Sequence, residues 1–485
     1  MHRLCPSENK ENIFGECIQS DSKSMTSSKR KRHPLDSINP NTAKIEMKSS
    51  TAIERVNYDC FERILDGFHL DDLVKVGSSC KHLQSIVCDF FQTKFHKHAV
   101  LIDSEQFPRY AVTSNAVHDN YRFGIGHDLN AFLNVVGEKI EKIIILNMFP
   151  IAANLTRFEN DTKIEQMITK CCGKTLNEIK FKNCGQQMMN GAEPFENVTR
   201  VSFENCALGR KASDFTFLFP IMYRFDLIDC NVMDVRHSIE MEFPKLKCFN
   251  LNVPLSLNSY ANISFNIQNI MAMIDRNPHI ESLKLCYWNE SAYDAKLLHY
   301  VAQKLNDLKN LQLWHLRYTE FFSHGDIHFN SVRKLTLANH CHISGKLAAN
   351  LAALSFENLS KFCITGEFDS ECTAFLARHK TIRAISFVSS GAHDWYPSEA
   401  DVIGIVNLLP NLVKITLDGS RLTAHGLLRL IKQCSTMVLS LKIQRYAFSN
   451  AIRKMFQWEC TKLGWHVNFN SLSTDPKMKI QRKIN

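Results

Sequence analysis

One phrase, apolar-x-x-apolar-x-apolar, recurs along most of this chain and constrains its fold more than any other feature. It opens at Ile140, Leu176, Val198, Met222, Leu246, Ile280, Leu308, Val332, Leu359, Ile382, Leu412 and Val438, at a mean interval of about 27 residues. The alternation inside the phrase has the period of a strand. Recurrence at this interval means that each unit carries an apolar face too small to bury alone, so neighbours must stack. The expected fold class is α/β: a solenoid, or horseshoe, with short strands inside and helices or turns outside. Phe181, Phe203, Phe225 and Phe249 fall at equivalent positions of successive units, where flat rings stack as core. Cys184, Cys206 and Cys230 follow the strands at one repeated position and read as small buried hydrophobes.

Side chains alternate along a strand, so the residues between the apolar anchors face the concave side. From Leu176 onward the basic ones are Lys180, Lys182, Arg200, Arg224, Lys284, Lys334, Lys361, Lys414 and Lys442, against acidic Glu178, Glu204, Asp226 and Asp418. This excess points to an acidic or phosphorylated protein client. The candidate client contacts are Lys180, Arg200, Arg224, Lys284, Lys334 and Lys361, with Trp314 as an aromatic anchor on the same face. Nucleic acid is a weaker expectation, because aromatic residues are not interleaved with the basic ones and acidic residues interrupt them.

Composition narrows the remaining choices. With 45% hydrophobic and 22% charged residues over 485 positions, the chain can bury a large core. No apolar run approaches the roughly 18 residues of a membrane span, so no membrane association is expected. The first twelve residues carry no apolar stretch of signal-peptide type. The 17 cysteines include no Cys-x-x-Cys and suit a reducing compartment, nucleus or cytoplasm. A phosphate-cradling glycine loop, a His-Glu-x-x-His and a Gly-x-Ser-x-Gly are all missing, and Gly124-Ile125-Gly126 is too short to signify. His340-Cys341-His342 and His96-Lys97-His98 lack a second half at zinc spacing. The chain is therefore expected to be no enzyme and to need no cofactor or metal. Binding is its expected work.

Residues 1–50 hold one aromatic and no apolar period, and read as a disordered arm. Lys29, Arg30, Lys31 and Arg32 form a compact basic cluster of the nuclear-import kind, and Lys10-Glu11-Asn12 resembles a KEN degron. Residues 51–97 change character: Ile64, Leu65 and Phe68 form one helical stripe, and Leu73, Val76, Cys80, Leu83, Val87 and Phe90 a second. His69-Leu70-Asp71-Asp72 interrupts them, with an Asp expected to cap the second helix. Residues 98–470 hold the repeats. The helix around Phe456-Gln457-Trp458 and the stretch 464–469 should close the far edge, and residues 471–485 read as a basic tail.

The segment from Val56 to Val76, continued by Ser79 to Val87, resembles an F-box. Val56-Asn57 stands where that family usually has Leu-Pro, which removes a preset first helical turn. The resemblance implies that Val56, Ile64, Leu65, Phe68, Leu70, Leu73, Val76 and Leu83 dock a Skp adaptor and, through it, cullin and RING subunits. The unit from Leu412 to Met437, with its Leu417-Asp418-Gly419-Ser420-Arg421-Leu422 and a following Cys434, resembles the cysteine-containing leucine-rich repeats found behind F-boxes. Together these resemblances imply a substrate-recognition subunit of an SCF-type ubiquitin ligase, with a non-ligase nuclear scaffold as the alternative.

Overall fold

The computed structural model describes residues 58–96, 98–103, 109–113, 125–147, 158–185, 193–207, 215–230, 241–253, 267–287, 295–314, 327–338, 354–365, 370–388, 399–418, 423–434, 440–444, 448–470 and 477–482. Three helices come first: α1 (Tyr58–Leu65), α2 (Leu70–Ser79) and α3 (Lys81–Phe95). The second apolar stripe is thus two helices, broken at Cys80, which is extended at φ −162° and ψ 162°. The break has local causes. Gly77, Ser78 and Ser79 are weak helix formers, and the Ser79 hydroxyl donates back to the Lys75 carbonyl at 2.8 Å. Gly77 is required by packing as well, since a Cβ there would lie 2.4 Å from Val135 Cγ1.

The strands then follow. β1 (Ala99–Asp103) and β2 (Arg109–Thr113) form an antiparallel pair ahead of α4 (Leu129–Val136) and β3 (Lys142–Leu146). After α5 (Phe158–Cys172) come β4 (Glu178–Lys182), β5 (Arg200–Glu204), a short helix at Phe215–Leu218, β6 (Arg224–Ile228) and β7 (Cys248–Val253). Helices at Ile267–Arg276 and Ala295–Lys304 flank β8 (Ser282–Tyr287), and β9 (Asn310–Trp314) follows. Next are β10 (Ile327–Phe329), β11 (Lys334–Ala338), β12 (Leu354–Phe356), β13 (Lys361–Thr365), β14 (Ala384–Val388), β15 (Lys414–Asp418) and β16 (Ser440–Gln444). A helix at Asn450–Lys462, β17 (Trp465–Asn470) and β18 (Lys477–Arg482) end the chain.

Sixteen of these strands form one sheet, in the order β17-β18-β16-β15-β14-β13-β11-β9-β8-β7-β6-β5-β4-β3-β1-β2, while β10 and β12 pair separately. Every neighbour from β1 to β16 is parallel. All twelve phrases become strands of this sheet, each beginning two residues after the phrase opens. The architecture is mixed α/β and solenoid-like. The core is continuous across residue 97, so the helical unit and the first repeats share it.

Alternation does the sorting. In β4, Ile179 and Phe181 are fully buried while Glu178, Lys180 and Lys182 stay partly exposed. Phe181 and Phe203 stack with centroids 5.1 Å apart, Phe203 meets Phe225 edge-on at 6.1 Å, and Phe225 meets Phe249 at 6.0 Å. Behind β3, β4, β5 and β6 the chain turns through a left-handed residue: Asn147, Asn183, Asn205 and Asp229, with φ between 51° and 57°. Asparagine and aspartate tolerate this region better than other side-chain-bearing residues. Asn205 Nδ2 donates to Asn183 Oδ1, Asn183 Nδ2 to Asn147 Oδ1, and Asn147 Nδ2 to Asp103 Oδ1. Cys184, Cys206 and Cys230 are buried thiols that donate to the carbonyls of Ile145, Phe181 and Phe203 in the preceding unit.

The reading of residues 471–485 as a basic tail is corrected by β18, which inserts antiparallel between β16 and β17. Met478 and Ile480 are fully buried, alternating with Lys477, Lys479 and Gln481. The density of basic residues hides that two-residue period.

Two buried polar residues perform one repeated task. Asn277 and His379 both sit three residues before a phrase opening. Asn277 Oδ1 accepts from Phe243 N at 2.8 Å, and Nδ2 donates to Met273 O. His379 Nε2 accepts from Phe356 N at 3.1 Å, and Nδ1 donates to Phe375 O at 2.8 Å. The His379 ring is therefore neutral, with its proton on Nδ1. Burial holds its pKa below the ordinary histidine value, and the neighbouring Arg378 charge adds to the shift.

Two outcomes are expected. Phe203→Ala should lower unfolding stability by about 3–5 kcal/mol in urea denaturation, whereas Ser202→Ala on the opposite face should change it by less than about 0.5 kcal/mol. Because His379 is depressed in the folded state, the unfolded chain gains a proton first as pH falls below about 6.5, so stability drops there. In thermal melts at about pH 7.5 and about pH 5.5, His379→Asn should lose less stability between the two than the parent chain does.

Candidate functional site

Two surfaces carry the residues singled out in the sequence. In the helical unit, Lys94 Nζ on α3 reaches Glu62 at 3.2 Å and Asp66 at 3.7 Å, tying α1 and its following turn to α3. Gln84 Nε2 donates to Asn134 O and Cys88 Sγ to Val135 O, tying α3 to α4. Asp71 is not the expected helix cap. Helix α2 starts at Leu70, one residue earlier, so Asp71 falls inside the first turn. There its Oδ1 accepts from Tyr110 Oη and from His127 N, both at 3.1 Å, and its Oδ2 lies 3.1 Å from His127 Nδ1. Burial raises the Asp71 carboxyl, but the His127 and Tyr110 hydrogen bonds outweigh it and hold it below the usual carboxylate value. Tyr110 stacks on Phe132 at 4.2 Å, and Gly126 lies against its ring so closely that a Cβ would sit 2.0 Å from Cζ. The helical unit is thus locked onto β2 and α4.

This packing turns much of the implied docking set inward. Leu65, Leu70 and Leu73 are buried in the chain's own core, at 1%, 1% and 3% exposure, because α3 and α4 cover them. Phe68 and Val76 are partly buried against the same core, and Leu83 is half-buried. Ile64 alone among the described members of that set is mostly exposed, at 51%. Val56 lies outside the described residues, as do Lys10 to Asn12, Lys29 to Arg32 and His340 to His342.

The second surface is the sheet face opposite the core. Register aligns its side chains in rows that run across the strands. The front row reads Lys142, Glu178, Arg200, Arg224, Cys248, Ser282, Asn310, Lys334, Lys361, Ala384, Lys414 and Ser440. The cations of its first part are paired within the chain. Glu178 pairs with Lys142 at 3.5 Å and Arg200 at 3.6 Å. Glu204 pairs with Lys180 and, at 2.9 Å, with Lys182; Arg224 Nε pairs with Asp226 at 2.8 Å. Burial raises the Glu204 carboxyl, but its two lysines bring it below the ordinary glutamate value. Lys180, Arg200 and Arg224 are therefore partnered within the chain.

Lys334, Lys361 and Lys414 differ: no carboxylate among the described residues lies within 4.0 Å of their ammonium groups. Lys284 lies in the middle row, where burial pushes its ammonium down. Trp314 occupies the rear row of β9, and its side chain lies outside the described residues. Sequence reasoning placed Asp226 on this face without its burial, and missed Asn250 and Thr336: Asp226 Oδ1, Asn250 Oδ1 and Thr336 Oγ1 are buried without a hydrogen-bond partner among the described residues. All three stand four residues after a phrase opening, which puts them in one row.

Among the described residues no group of three metal-ligating side chains exists, and no helix is long and apolar enough to cross a membrane. Burial pushes the thiols of Cys230 and Cys460 up to about 12, away from nucleophilic use.

No protein-family model matches the chain, and no curated protein matches it. Among solved structures, a leucine-rich repeat protein of Leptospira interrogans is similar at 12% identity and a TM-score of 0.25, over 63% of this chain and 91% of that one. A likeness at that score carries no argument.

Gly126→Ala should drive a Cβ into the Tyr110 ring, and Asp71→Ala should strand the Tyr110 hydroxyl. Each is expected to lower the thermal midpoint, the Asp71 change by the equivalent of about 1–3 kcal/mol, with faster hydrogen exchange in α2 and β2 than in β13 to β15.

Proposed function

We propose that this chain is the substrate-recognition subunit of an SCF-type E3 ubiquitin ligase. The helical unit docks a Skp adaptor and, through it, cullin and RING subunits, while the open face of the sheet holds a client protein. The observation that carries this reading is a juxtaposition. A segment resembling an F-box forms a three-helix unit with Ile64 turned outward, and that unit is fastened by Asp71, Tyr110 and His127 to a repeat sheet with a charged open face. A receptor of this kind works by geometry. It holds client lysines near a ubiquitin-charged enzyme carried by the cullin arm, which raises their effective concentration. A stiff junction serves that purpose, because motion between the two surfaces would dilute it. The chain itself supplies no catalytic group in this scheme.

A second reading is a nuclear scaffold in which the helical unit merely caps the sheet. The inward turn of Leu65, Leu70 and Leu73 favours it, as does Val56-Asn57 in place of Leu-Pro.

Pull-down with purified Skp adaptor separates the two. The full chain is expected to retain the adaptor, and Ile64→Asp to weaken retention by about 10-fold or more, since it places a charge in an apolar contact on a surface that tolerates it for folding. Leu65→Asp serves as the folding control, because it buries an unpaired charge and should unfold the unit. Equal retention of the chain and Ile64→Asp, or retention of neither, removes the ligase reading and leaves the scaffold.

A further inference from the structure

The sheet's open face is divided electrically. From β3 to β6 every cation of the open rows lies in ion-pair range of a carboxylate, five of them sharing Glu178, Glu204 and Asp226. From β11 to β15 the front row carries Lys334, Lys361 and Lys414 with no carboxylate in ion-pair range among the described residues, and Arg333 and Arg383 stand exposed one residue ahead of β11 and β14. Lys334 and Lys361 are direct register partners, so their Cα atoms lie about 5 Å apart; Lys414 is two strands further, about 10 Å away. Like charges at this spacing repel, and an anion laid across them relieves that repulsion. The Lys334 charge also reaches Cys363, the middle-row residue one strand on, where it opposes the upward push of burial on the thiol.

The middle row supplies a second, independent observation. Asp226 and Asn250 are register partners on β6 and β7, at 9% and 8% exposure, and each has a side-chain oxygen with no donor among the described residues; Thr336 Oγ1 on β11 is likewise unpartnered. A buried acceptor without a donor is costly, so a ligand bringing N–H groups gains more here than on an ordinary surface.

We propose that this face binds an extended, acidic polypeptide segment lying across the strands. Its carboxylate or phosphate side chains meet Lys334, Lys361 and Lys414, and its backbone N–H groups meet Asp226 Oδ1 and Asn250 Oδ1. From β7 to β11 is three strand steps, about 14 Å, which an extended chain covers in roughly four residues. The Asp226 carboxylate argues against a nucleic acid on the same track, since a phosphate backbone offers it no donor and repels it. No aromatic residue occupies the three open rows of β11, β13, β14, β15 or β16 to stack a base. This deepens the client-receptor reading and rests on it for the partner being a polypeptide.

The test is fluorescence anisotropy of the full chain with a labelled dodecapeptide of alternating glutamate and glycine. The controls are the glutamine-for-glutamate peptide and a twelve-nucleotide oligo(dT). The glutamate peptide should bind, and binding should weaken with added salt. It should weaken about 10-fold or more in Lys334→Gln, Lys361→Gln, Lys414→Gln combined, and less than about twofold in Lys142→Gln, Lys182→Gln combined. Amine acylation of the unsubstituted chain, read by mass spectrometry, should show Lys334, Lys361 and Lys414 protected by the peptide and exposed Lys75 unprotected, so the result does not hang on variant folding. Absence of binding, equal binding of the glutamine peptide, equal losses in the two variants, or tighter binding of the oligonucleotide would each overturn the inference. Adaptor retention is a separate readout: a chain that retains Skp yet ignores the peptide refutes this inference alone, and the reverse refutes the ligase reading alone.

Discussion

The backbone carbonyl just ahead of each strand accepts two N–H groups from the next unit, and the rest of the sheet follows from that shared acceptor. Glu141 O takes the N–H groups of Asn177 and Glu178, Asn177 O those of Thr199 and Arg200, and Thr199 O those of Tyr223 and Arg224. The same fork continues through Tyr223, Lys247, Glu281, Lys309, Arg333, Ser360 and Arg383. It fixes the register of each unit on its predecessor, and a slip of one residue would turn every Phe and Leu of the core to the other face. Register then does two jobs at once. It stacks Phe181 on Phe203 behind the sheet, and it lines up the charged rows in front.

How much of this could be read from the residues alone depends on how local the cause is. The twelve strands were legible because apolar alternation is a property of six consecutive residues. Less was legible at the sheet's ends. The antiparallel pair of β1 and β2 carries no repeat phrase, and β18 hides its two buried residues among lysines. In the helical unit, one continuous stripe concealed the break at Cys80, whose causes are the weak helix formers Gly77, Ser78 and Ser79 and the Ser79 hydroxyl bonded back to Lys75 O.

The candidate surfaces were legible in composition but not in state. That Lys180, Arg200 and Lys334 share one face follows from alternation. That the first two are paired and the third is not depends on partners 22 to 24 residues away, brought alongside only by the register. Part of the implied docking set is inward for a related reason. Leu65, Leu70 and Leu73 have the spacing of a contact stripe, and spacing does not say whether the contact is with another molecule or with α4. Asp71 illustrates the same limit: a residue suited to capping its own helix is used to fasten that helix to Tyr110 and His127, far along the chain.

The asparagine corners carry a polarity of their own. Each amide donates toward the N-terminal end, so the chain of dipoles from Asn205 through Asn183 and Asn147 terminates on a single carboxylate, Asp103. Aligned amides polarise one another, and the charge at the end anchors the series. A disturbance at Asp103, a residue of the first strand with no contact to β5, would therefore be felt at Asn205. Three corners that look like independent turns behave as one electrical object.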